Sequence, residues 1–127
     1  MRKTLHAFNA CAGLFGACGV AAAAGAAHVP GAEHLNSVAL ILLVHAAALL
    51  GLTTRARESA GWGARLWFAS ALAVAIGAAL FSADVALLAL RGARLFPMAA
   101  PTGGTLMILG WLTAFFAGLT DLSERHS

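Results

Sequence analysis

Polar residues in this chain come in short bursts, separated by four long apolar blocks. The blocks run from about Thr4 to Ala27, Leu35 to Leu52, Leu66 to Leu90 and Pro101 to Leu119. Each is close to the ~20 mainly apolar residues that carry a helix across a hydrocarbon layer. Backbone groups in hydrocarbon must bond within their own segment, so such blocks predict helices. The alternating pattern of a membrane barrel strand is missing. The expectation is an all-α fold, a single-domain integral membrane bundle of four transmembrane helices near 4–27, 35–53, 65–90 and 101–120.

The breaks have their own chemistry. His28-Val29-Pro30-Gly31 reads as a turn, Thr53 to Ser59 as a polar loop, and Arg91-Gly92-Ala93-Arg94 as the end of the third helix. Pro101 suits a first helical turn, where its missing N–H costs nothing. The first block has a second reading. Arg2-Lys3, an apolar stretch and the small residues Gly25, Ala26 and Ala27 outline a cleavable signal peptide. The stretch is longer than a usual signal core, so a retained first helix is expected.

Composition agrees with lipid as the main solvent. Apolar residues make up 61% and charged residues 10% of the chain, against roughly 45–50% and about 25% in soluble domains. A chain of 127 residues cannot hide that much apolar surface from water. The net charge of +3 is spread singly or in pairs between the blocks. That pattern suits positive membrane-surface loops rather than a nucleic-acid stripe, so no nucleic-acid partner is expected. Arg2, Lys3, Arg55, Arg57, Arg65 and Arg125 fall on one side, Arg91 and Arg94 on the other. Both termini are therefore expected in the cytoplasm, with Trp62 and Trp67 at that interface. A bacterial plasma membrane is expected, because no mitochondrial targeting pattern precedes the first helix.

Small residues recur at every fourth position, as Gly13-Ala17-Ala21-Gly25 and as Gly110-Ala114-Gly118. Such stripes let helices approach closely, although an Ala/Gly-rich chain also produces them by chance. They suggest a thin, tightly packed bundle with little cavity. Trp111, in mid-helix, is expected to pack inside the bundle or against a partner. Cys11 and Cys18 lie two helical turns apart, too far to pair within one helix.

Four segments carry a resemblance. They are Gly25-Ala-Ala-His28, Val44-His-Ala-Ala-Ala-Leu-Leu50, Leu80-Phe-Ser-Ala-Asp-Val-Ala-Leu-Leu-Ala-Leu-Arg-Gly92, and Ala100-Pro-Thr-Gly-Gly-Thr-Leu106 leading to Leu109-Gly-Trp-Leu112. In this order they resemble the domain-of-unknown-function-423 family, small bacterial membrane proteins similar to eukaryotic transmembrane protein 256. The resemblance implies four inner-membrane helices and no established activity. The family pattern has a neutral hydroxyl where this chain has Asp84, and Tyr where it has Val44.

Two ionisable groups sit inside the blocks. Asp84 lies about 10 Å below the Arg91 end of its helix and His45 about 15 Å into the second, at 1.5 Å per residue. A buried charge there is expensive, so a partner is expected. An Asp84–His45 pair would serve either as a proton or ligand site or as a hydrogen-bonded lock between helices. Outside the membrane, His28, Glu33 and His34 could meet a cation only if their turn folds to converge them. No metal, haem or other cofactor is expected. No triad, P-loop or dinucleotide fingerprint is present, so an enzyme is not expected. The function expected is that of an accessory or structural subunit, partnered by the lipid bilayer and by a larger membrane complex or a second copy. A small proton or solute conductor using Asp84 and His45 is the alternative, and a lipid- or quinone-binding protein the second.

Overall fold

A computed structural model describes the backbone of residues 1–124 and the side chains through Ser123. Arg125 and His126, expected at the cytoplasmic end, lie outside the described residues. The elements are α1 (Arg2–His28), α2 (Leu35–Glu58), α3 (Gly61–Arg91) and α4 (Ala99–Glu124). All four are long and apolar enough to cross a membrane.

The helices begin and end where backbone chemistry requires. After α1, Val29 turns extended and Gly31 takes φ +80°. Proline cannot continue a helix, and glycine accepts positive φ without a side-chain clash. At the end of α3, Gly92 adopts φ +66° and donates its N–H to Leu88 O at 2.9 Å, a left-handed cap. The expected polar loop at Thr53–Ser59 is instead mostly helix. α2 continues to Glu58 and only Ser59 and Ala60 join it to α3. Arg and Glu are good helix formers, so polarity alone does not end the segment. α4 starts two residues before Pro101, which keeps the proline within the first turn.

Helices pack in chain order, α1 on α2, α2 on α3 and α3 on α4, while α1 and α3 touch sparsely. Leu5, Phe15, Leu35, Leu42, Leu49 and Val74 fill the core. The α3–α4 seam depends on glycine. A Cβ at Gly77 would meet Gly103 O at 2.7 Å, and one at Gly103 would meet Phe81 N at 2.6 Å. Here the two backbones touch, and any side chain must push them apart. Gly110 and Ala114 of the expected stripe join this seam, with Gly110 against Val74.

The α1 stripe behaves differently. Gly13, Ala17 and Ala21 face outward, and a Cβ at Gly13 would meet nothing within 4 Å. The packing face of α1 is the one carrying Phe8, Ala12, Phe15, Gly19 and Ala22. The expectation of little cavity also needs correction. An apolar groove of about 550 Å³ runs between α1, α2 and α3. Its walls include Ala21, Ala22 and Gly25 on one side and Ala79, Ala83 and Ala86 on the other. Side chains this small cannot close the gap where α1 and α3 diverge.

Candidate functional site

The polar side chains within the helices form ties at three levels. The first is at the α3–α4 turn. Asp84 is 0% exposed. Its Oδ1 accepts the backbone N–H of Leu95 at 2.9 Å, and its Oδ2 accepts from Arg94 Nη1 at 3.2 Å. The carboxylate thus holds residues 94–95 back against the helix they have just left. The cost of burying it is offset by one charge-assisted pair and one backbone donor.

The second tie lies at mid-depth. His45 is 5% exposed, with Nδ1 2.7 Å from Ile41 O and Nε2 3.2 Å from Trp111 Nε1. A ring carrying its proton on Nδ1 satisfies both bonds, donating to the carbonyl and accepting from the indole. Trp111 is 45% exposed, so its ring lies at the outer edge of the α2–α4 contact rather than inside the bundle. The expected Asp84–His45 pair does not form. Each residue has other partners, Asp84 within its own turn and His45 on α4. Both imidazole nitrogens are occupied, which leaves no lone pair free for an iron or another cation.

The third tie joins the far ends of α2, α3 and α4. Asp121 accepts from Arg55 Nη2, from Trp67 Nε1 at 3.0 Å and from Ser59 Oγ at 3.2 Å. The Arg55 guanidinium also lies 5.6 Å from the Trp67 ring centre, within cation–π range. Gly63 makes room, since a Cβ there would come within 3.0 Å of Asp121 Oδ1. Asp121 lies just beyond the last apolar block and is not among the residues singled out from the sequence. The available signal was an acid at the same end of the bundle as Arg55 and Trp67.

Two further contacts were not foreseen. Thr53 Oγ1 donates to Asn9 Oδ1 at 2.7 Å, and Ser70 Oγ donates to Gly110 O at 2.8 Å. Thr54, Thr105 and Thr113 bond back to their own helices. Among the described residues, Ser82 Oγ is the one buried side-chain polar atom without a hydrogen-bond partner. His28, Glu33 and His34 lie exposed around the α1–α2 turn. No three His, Cys, Asp or Glu side chains among the described residues converge as a cation site.

Four helices, each long and apolar enough to cross a membrane, tied by internal polar contacts, define the class of the fold, a small all-α bundle. The chain belongs to the family described as "Protein of unknown function (DUF423)", whose profile matches residues 12–104. His45, Ser82 and Asp84 fall within that match, whereas Trp111 and Asp121 lie beyond it. No curated protein and no solved structure matches the chain.

Proposed function

We propose that the protein is a non-catalytic accessory subunit of a bacterial plasma membrane, acting by packing against another membrane protein or a second copy of itself. The observation that supports this reading is the occupation of its polar groups. Asp84, His45, Thr53, Ser70 and Asp121 each bond within the chain. A conductor needs groups that exchange protons or ligands along a path. Asp84 is committed to the α3–α4 turn and His45 to Trp111, on separate elements.

The outer surface favours association. α4 packs mainly on α3 and leaves Ile108, Leu112, Phe115 and Phe116 exposed. The outward Gly13-Ala17-Ala21 stripe of α1 would admit a neighbouring helix at short range. The excess of arginine at the end shared by both termini favours a cytoplasmic location for that end.

Photo-crosslinking in the native membrane tests the proposal. A photoreactive residue replacing Phe115 or Gly13 should yield a discrete protein adduct, to a partner or to a second copy. Adducts to lipid alone from both positions would rule the packing role out.

A further inference from the structure

The end where α1 begins and the described part of α4 stops also holds a cavity unlike the rest of the molecule. It has a volume of about 430 Å³ and lies between the start of α1 and the end of α2. Arg2, His6, Arg57 and Ser59 supply its polar lining, while the exposed Met1 side chain, beside the buried Leu5 and Ala56, supplies an apolar wall. Among the described residues, no carboxylate lines it.

The arginines lining this cavity have no acidic partner among the described residues. Two carboxylates near it, Glu58 and Asp121, both pair with Arg55. Arg2, Lys3, Arg57 and Arg65 form no ion pair among the described residues. Arg57 Nη2 lies 3.4 Å from His6 Nδ1, so its guanidinium rests against an imidazole instead of an acid. The first turn of α1 contains no acidic residue and has no side-chain cap, which leaves further N–H donors at the same end.

From this arrangement we infer that the cavity is a binding site for the phosphate of an anionic phospholipid. Two guanidiniums offer charge-assisted donors to phosphate oxygens, while the Ser59 hydroxyl beside them is committed to Asp121. The apolar wall would lie beside the first carbons of the acyl chains. A basic pocket at the end of membrane helices is the general form of an anionic-headgroup site. A soluble phosphate compound would use the same donors but not the apolar wall, which favours a lipid occupant.

The test uses the full chain in mild detergent, titrated with dioleoyl phosphatidylglycerol or dioleoyl phosphatidylcholine and read by native mass spectrometry. Phosphatidylglycerol should bind about tenfold more tightly than phosphatidylcholine. Replacing both arginines, Arg2→Gln with Arg57→Gln, should weaken phosphatidylglycerol about tenfold, to the affinity of phosphatidylcholine, and leave phosphatidylcholine, whose choline already neutralises its phosphate, unchanged. Arg91→Gln, at the opposite end, should change neither, and circular dichroism verifies that each variant stays helical. Glycerol phosphate at millimolar concentration should fail to displace the lipid. Equal affinity for the two lipids, or full phosphatidylglycerol binding by the double variant, would overturn the inference. Displacement by glycerol phosphate would also overturn it, by assigning the site to a soluble phosphate compound.

Discussion

Asp84 and His45 illustrate how far a single residue can be read from sequence. Their burial followed from position in an apolar block, but their partners did not. Asp84 bonds within a turn whose course depends on positive φ at Gly92 and Met98, and such a path cannot be drawn from residue types. His45 meets Trp111 because α4 lies across α3 at the Gly77–Gly103 crossing. A double-mutant cycle between His45→Ala and Trp111→Phe should therefore show coupling of about 0.6–1.7 kcal/mol, the range for hydrogen bonds between membrane helices. Thermal unfolding in detergent measures it. The cycle between His45→Ala and Asp84→Asn should be additive. Asp121→Ala removes one acceptor from three donors and should destabilise by about 1–3 kcal/mol, with a blue shift in Trp67 fluorescence marking the lost hydrogen bond.

For the helices, sequence gave existence and type, and missed several boundaries. Hydropathy marks where lipid ends, and a helix does not stop there, as the polar last turns of α2 show. Small-residue stripes were visible, but periodicity could not say which face meets a neighbour. The glycines divide accordingly. Gly103→Leu drives a side chain into the backbone of α3 and should cost at least the 1–3 kcal/mol typical of overpacking. Gly13→Leu points away from the bundle and should leave the melting temperature of the isolated chain unchanged. The same substitution at Gly13 should reduce association in the membrane, which crosslinking yield measures.

Across the whole molecule, the two ends are chemically distinct. One carries the Arg55–Asp121–Trp67 cluster and the unpaired arginines; the other carries the Asp84 tie beneath the α3–α4 turn. The transmembrane class was legible because lipid leaves a strong compositional mark. A packing function leaves none, since a face that meets a protein and a face that meets lipid are both apolar. Purification of the tagged chain from its native membrane in mild detergent, followed by mass spectrometry of the intact assembly, tests the packing role most directly. The account predicts a stoichiometric assembly, with another membrane protein or with a second copy. A monomer carrying only lipid would contradict it.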